Sequence, residues 1–192
     1  MVMERWEKSQ AKDWAEYQTK RDNPLGIFSV PSLGSAVRAG EIVARSVTGK
    51  CLDIGCGVYP KPSYMMGDIQ FFGIDPFFGD RPRVFPFAQA MAESLPFADG
   101  YFDCATMMST IEHFWDVSLA LSEARRVLRP NGMLFVWFRA RGEDDGHHCF
   151  HFSIESLTVY LERAAFRMDS YVTITEDRLM WPPTVLAIAR TI

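Results

Sequence analysis

Four histidines and two aspartates carry most of the chemistry this chain could do near neutral pH. His113 stands alone, while His147, His148 and His151 crowd one polar stretch together with Cys149. Imidazole exchanges a proton near pH 7 more readily than any other unperturbed side chain, so His113, His148 and His151 are candidate general bases. Asp53 stands just ahead of Gly55-Cys56-Gly57, and Asp75 closes the stretch Phe71-Phe72-Gly73-Ile74. Gly55 and Gly57 permit a tight turn in which backbone approaches a ligand where a Cβ would clash. A carboxylate ahead of such a loop suits a ligand with a cationic group. A carboxylate at the end of the following strand suits a ribose, whose two hydroxyls it can accept together.

The same residues admit other readings. The glycine spacing is not the G-x-G-x-x-G of dinucleotide binding, and no Gly-Lys-Ser/Thr follows for a P-loop. His147, Cys149 and His151 offer imidazole and thiolate to a metal, but residues so close in sequence converge poorly on one ion, so no metal is assigned. His113 reads equally as a loop histidine with a structural hydrogen bond, and His148 and His151 as loop packing. Asp75-Pro76 also spells a turn. Glu143-Asp144-Asp145 reads as a solvated turn.

The elements that must position these residues alternate between two periods. Trp6, Gln10, Trp14 and Tyr17 share one face of a helix expected over residues 3–20, either packed on the domain or closing over a ligand. Ser32 can cap a second helix with Ala36, Val37, Gly40, Val43 and Ala44 inward. Cys51, Leu52 and Ile54 make a short buried strand that runs into the glycine loop and then, by the usual strand-loop-helix pattern, a helix. Further strands are expected at residues 71–75, 84–88, 102–108, 133–138, 168–175 and 184–189. Helices are expected at 116–128 and from a Ser153 cap to about 166. Parallel strands in such a sheet share their C-terminal edge, and the two aspartates and the histidines all fall just past strand ends.

Leu52-Asp53-Ile54-Gly55-Cys56-Gly57 resembles the first motif of the class I S-adenosylmethionine (SAM)-dependent methyltransferases. Ala92-Glu93-Ser94-Leu95-Pro96-Phe97-Ala98-Asp99-Gly100-Tyr101-Phe102-Asp103 and Arg126-Val127-Leu128-Arg129-Pro130-Asn131-Gly132-Met133-Leu134 resemble later family stretches, in order and at fitting distances. The similarity covers roughly residues 51–166 and points to the ubiquinone/menaquinone-methyltransferase-like branch. It implies a Rossmann-like, doubly wound α/β sheet of seven strands, mostly parallel with the last antiparallel, and helices on both faces. It also implies SAM as cofactor, held by Asp53, Gly55, Cys56, Gly57, Asp75, Pro76, Phe77, Ala92, Glu93 and Ser109. Two residues depart from the family pattern: Tyr59 replaces the usual third glycine, and Met91 replaces the Asp that meets the adenine amino group. Asn131 stands where a glycine is usual, a mild change because Asn tolerates the left-handed conformation.

At 192 residues with 48% apolar content, the chain reads as one globular domain over 1–192, with 1–32 as an N-terminal helical cap. A net charge of −4 and the absence of a basic strip argue against a nucleic-acid partner. The acceptor is therefore expected to be a small molecule. Scattered cysteines without a C-x-x-C spacing and a polar start point to reduced thiols in the cytoplasm. The longest apolar runs are too short for a membrane span. Two function classes follow: a small-molecule methyltransferase, and a catalytically inactive SAM-fold module serving as a partner subunit, which Met91 and Tyr59 favour.

Overall fold

The computed structural model describes residues 2–20, 34–79, 82–139, 148–175 and 183–192, apart from the side chains of residues 2, 3, 13 and 16–20. His147, the Ser32 cap, the 23–26 turn, the acidic 143–145 stretch and the Tyr17 side chain lie outside that set. The elements in order are α1 (Val2–Lys20), α2 (Gly34–Ser46), β1 (Gly49–Ile54), β2 (Ile69–Asp75), β3 (Phe87–Gln89), β4 (Phe102–Met108), a 3₁₀ turn (Ile111–His113), α3 (Val117–Val127), β5 (Leu128–Arg139), α4 (Ile154–Arg163), β6 (Phe166–Ile174) and β7 (Thr184–Thr191). The strands form one sheet in the order β3-β2-β1-β4-β5-β7-β6. β1 lies between β2 and β4, all pairs from β3 to β5 are parallel, and β7 runs antiparallel to both β5 and β6. This is the Rossmann-like α/β sheet that the alternating pattern implies, with the last strand reversed.

Successive strand residues face opposite sides, so each inner strand feeds two cores. Leu52, Ile54, Ala105, Leu134 and Val136 pack with Ala120, Leu121 and Ala124 of α3 and Leu157 and Leu161 of α4. Cys51, Cys104, Phe135 and Leu186 pack with Ala36, Ala39 and Val43 of α2 on the other side. Near-continuous apolar runs are what burial on both faces demands. Asp116 caps α3 by accepting from Leu119 N–H, and Ser153 caps α4 with a reciprocal bond from Ser156. Asn131 takes the left-handed conformation its side chain tolerates, at φ 60°.

Three expectations are corrected. The helix after the glycine loop is absent: the chain crosses from β1 to β2 through turns and bends. Pro60 and Pro62 disfavour the α region at Tyr59 and Lys61, the residues before them, and Gly67 adopts φ 80°, so the crossover is poorly set to form a helix. β3 begins at Phe87 rather than Val84: Val84 N–H is spent on Pro60 C=O (3.1 Å), and the pairing with β2 opens only where Gly73 N–H donates to Pro86 C=O (2.9 Å). β5 reaches back to Leu128, which pairs with Phe102 across an irregular register.

Candidate functional site

The parallel strands end together, and the loops that leave β1, β2 and β4 line a cleft of about 200 Å³. Gly55, Cys56 and Gly57 form one wall, Asp75, Pro76 and Phe77 the next, and Met91, Ala92 and Glu93 the third. Met108, Ser109, Thr110, His113 and Phe114 close the far side, while Trp6 and Gln10 reach in from α1. Every residue expected to hold the cofactor lines this cleft except Asp53.

Asp53 is fully buried beneath the glycine loop. Its Oδ2 accepts from the Tyr64 hydroxyl at 3.0 Å and its Oδ1 from the Thr106 hydroxyl at 2.7 Å. Burial pushes its carboxyl up to about 7, against the opposing pull of those two hydroxyls. Asp53 does not line the cleft where a cationic ligand group would meet it; Tyr64, which bonds to it, does. Residue type and spacing cannot tell which face of the strand end a carboxylate takes. Tyr64 itself was not visible in the sequence, because it sits in an aperiodic crossover. Its backbone lies against Gly40 of α2, where a Cβ would come within 2.5 Å of the Tyr64 carbonyl.

Asp75 is the carboxylate at the cleft wall. Its Oδ2 accepts from Gly57 N–H at 2.8 Å and its Oδ1 from Phe77 N–H at 2.9 Å. Burial raises its carboxyl to about 6, opposed by those two N–H groups and by the Arg83 cation. Gly57 holds φ 69° and Gly55 φ 80°, and a Cβ at Gly55 would collide with the Thr110 side chain. The glycines are thus required by the turn and by its approach to the next loop. Cys56, also in this wall, is 1% exposed, and burial pushes its thiol well up, so it offers no thiolate.

On the far side, Ser109 adopts φ 54° at the end of β4 and donates its N–H to Trp137 C=O at 2.7 Å. A non-glycine residue in that region is a strained placement of the kind found at ligand sites. Of the described histidines, His113 alone lines the cleft. The His148 ring lies 4.7 Å from it, centroid to centroid, and the exposed His151 lies 6.1 Å beyond His148. His113 Nδ1 is buried. Glu93 is buried too, its Oε1 accepting from Trp115 and Asp116 N–H at 3.0 and 3.3 Å. Among the described residues no group of three or more His, Cys, Asp or Glu side chains could hold a metal ion.

α1 crosses the mouth. Trp14 stacks on Phe77 with centroids 5.1 Å apart, and Arg5 donates to His148 C=O at 3.1 Å. The helix therefore touches the loops after β2, β4 and β5.

A seven-stranded sheet of this order, with a glycine loop after β1 and an acid after β2 at one cleft, defines a Rossmann-like α/β fold. Residues 52–136 match the family model described as "Methyltransferase domain". Over that stretch the chain is similar to methyltransferase domains. It is 35% identical over 98 residues to a ubiquinone/menaquinone biosynthesis C-methyltransferase UbiE from Marinomonas sp., covering 50% of this chain and 39% of that one. The chain thus spans well under half the length of the curated relatives it matches. In fold it is similar to Burkholderia thailandensis 1,6-didemethyltoxoflavin-N1-methyltransferase, solved with 1,6-didemethyltoxoflavin and S-adenosylhomocysteine (TM-score 0.79, 14% identity, 100% of this chain and 90% of that one). It is also similar to the [4+2]-cyclase SpnF (TM-score 0.64, 20% identity, 81% and 80%).

Proposed function

We propose that this protein transfers the methyl group of SAM to a small-molecule acceptor bound between the cleft floor and α1. The observation that carries the reading is the Asp75 carboxylate, which faces the cleft with each oxygen fixed by one backbone N–H. A carboxylate offers about four acceptor positions, so two remain for the paired hydroxyls of a ribose. The other walls fit the rest of the molecule. Gly55 and Gly57 let backbone come close, and Phe77, Met91 and Ala92 offer an apolar seat for a base ring. When bound, SAM supplies a methyl group on a sulfonium that is already a good leaving group. The protein's share is then alignment, exclusion of water and acceptance of one proton.

His113 is the candidate base, because it is the described histidine that lines the cleft and an imidazole can take the proton that an acceptor hydroxyl, amine or acidic C–H loses. His148 stands behind it as a ring neighbour, and His151 lies further out. α1 acts as a lid: Trp6 and Gln10 supply the upper wall, and Trp14 and Arg5 anchor the helix to the loops after β2 and β5. Residues 1–192 form one domain of which residues 1–32 are the cap, working in the cytoplasm without a nucleic-acid partner. A net charge of −4 supports that choice of acceptor. Among the described residues no helix is long and apolar enough to cross a membrane.

A second reading has an observation of its own. A cyclase shares this fold, and fold does not fix reaction. With Met91 and Tyr59 departing from the family pattern, a SAM-fold module without methyl transfer is the alternative. Calorimetry with S-adenosylhomocysteine separates the two from a fold without ligand. Labelled-methyl transfer to a panel of phenols, amines and carbon acids then separates enzyme from binder. Binding without transfer to any acceptor favours a SAM-binding module, and absence of binding removes methyl transfer and leaves a SAM-fold module acting as a partner subunit.

A further inference from the structure

Arg83 lies outside the cleft lining, yet it reaches the two loops that form the cleft's ribose wall. Its Nη2 donates to Gly57 C=O at 2.8 Å and to Phe77 C=O at 3.2 Å, and its Nη1 donates to Phe78 C=O. The guanidinium lies over the Phe87 ring at 3.6 Å. The next residue, Val84, donates its N–H to Pro60 C=O at 3.1 Å, a further tie from this segment to the loop after β1. Asp75 accepts the N–H groups of the same two residues, Gly57 and Phe77. Gly57 and Phe77 are therefore each held twice, by an anion at the N–H and a cation at the C=O. Neither loop carries a helix to fix its backbone, since the β1–β2 crossover consists of turns and bends.

We propose that Arg83 and Asp75 form a cross-brace that presets the nucleoside half of the cleft, with Arg83 the positioning residue that holds the Gly57 and Phe77 peptides in the orientation a ribose needs.

The reading rests on SAM being the ligand, and the geometry explains what the brace does. A glycine loop with positive φ and no following helix is free to rotate its peptides. A rotated Gly57 or Phe77 would take its N–H away from Asp75 and turn the carboxylate off the cleft. Arg is suited to this task because its planar fork can bond several carbonyls while stacking on an aromatic ring, and Lys offers a single point charge. The Arg83 cation also favours the ionised form of Asp75, the better acceptor of two hydroxyls. The other titratable groups facing Asp75 are His113, Asp53, Cys56 and Tyr64, so Arg83 and His113 are its cationic or potentially cationic neighbours.

The test uses the full chain with Arg83→Met, which keeps an aliphatic cover on Phe87, and with Arg83→Lys. Amide hydrogen exchange is followed without ligand, and S-adenosylhomocysteine affinity is measured by calorimetry across pH. Arg83→Met should speed exchange at Gly57 and Phe77 while the β4 and β5 amides keep their protection. It should weaken S-adenosylhomocysteine by about ten- to a hundredfold, as loss of hydrogen bonds from a charged donor does. The pH at which affinity falls on the acid side should move upward. Arg83→Lys should restore that pH and leave the two amides unprotected. Unchanged exchange at Gly57 and Phe77 overturns the brace. Faster exchange everywhere, with a lowered Tm, also overturns it in favour of general packing. If the wild-type protein fails to bind S-adenosylhomocysteine, the SAM reading falls, while the exchange comparison still decides whether Arg83 fixes the loops.

Discussion

At the β1–β2 end of the cleft, Gly57 and Phe77 are each held through both N–H and C=O, by Asp75 and Arg83. At the β4–β5 end backbone bonds, Ser109 N–H to Trp137 C=O at 2.7 Å and Cys149 and Phe150 N–H to Glu112 C=O at 2.8 and 3.1 Å, are joined by side-chain ties: the His113 and His148 rings at 4.7 Å, and the Arg5 bond to His148 C=O. The first half is a backbone mould held between a carboxylate that faces the cleft and a guanidinium outside its lining. The second adds ring and side-chain contacts from its loops and a terminal helix to the backbone bonds between those loops. A mould made of peptide groups presents the same donors and acceptors whatever the neighbouring side chains are, and suits a constant ligand. A surface made of side chains changes with each substitution, and suits the part of a site that selects one acceptor. Variants at the two ends should therefore fail differently.

The largest effect is expected at the side-chain end. His113→Ala should lower turnover by about 10²–10⁴-fold, the range for a lost general base, with S-adenosylhomocysteine affinity unchanged. His148→Ala should cost less, and the exposed His151→Ala should leave turnover as it was. Full turnover in His113→Ala would mean that this half works by alignment alone.

At the backbone end, Asp75→Ala should weaken S-adenosylhomocysteine by about 1–3 kcal/mol, the cost of unpairing polar groups in a buried site. Affinity of the wild-type protein should also fall as pH drops through about 6, where Asp75 takes up a proton. Calorimetry at several pH values checks both, and equal affinity in the variant would remove the ribose assignment.

The same contrast explains what was legible in the sequence. Asp75, Gly55, Gly57 and Ser109 could be placed because strand ends, glycine turns and acids have fixed relations in a parallel sheet. The Ser153 cap and the left-handed Asn131 were legible for the same kind of local reason. Arg83 and Tyr64 left no signal, since each acts across an aperiodic loop on a partner that periodicity cannot name. Asp53 was legible as a residue of the loop, but its direction was not: pairing to Tyr64 and Thr106 turned it away from the cleft. The missing helix after Gly57 was written in Pro60 and Pro62, and the strand-loop-helix pattern outweighed them in the reading.

A smaller effect should appear in stability. The carboxyls of Asp53 and Asp75 are raised from an ordinary value near 3.8 to about 7 and about 6. The folded state thus binds these protons more tightly than the unfolded chain. The cost of burying the charges is absent below about pH 4, grows as pH climbs, and is complete above about 7, so stability should fall over that window. Asp53→Asn should flatten the slope. Tyr64→Phe, which strips a donor from the ionised Asp53, should steepen it and cost roughly 1–3 kcal/mol at neutral pH. Urea unfolding at several pH values reads both, and a pH-independent difference between wild type and Tyr64→Phe would sever Tyr64 from Asp53.

The smallest effect tests whether the backbone mould extends to the adenine wall. Met91 is half-buried in the cleft, and its C=O accepts from Ser94 N–H at 3.2 Å, a turn that any side chain at 91 can keep. If the base ring is held by backbone and apolar cover, an acid at this position adds one acceptor for the exocyclic amine. That bond is worth about 1 kcal/mol net, a gain of a few-fold in affinity. Glu93, buried two residues away with its carboxyl raised by burial, opposes a second negative charge there. Met91→Asp should therefore bind S-adenosylhomocysteine from equally well to a few-fold more tightly. The gain should vanish with S-inosylhomocysteine, which lacks the amine. A large loss with the fold intact would show instead that the Met91 side chain packs on the ring. Adenine recognition would then belong with the side-chain half of the cleft, and the boundary between the two halves would move from Met91 to Phe77.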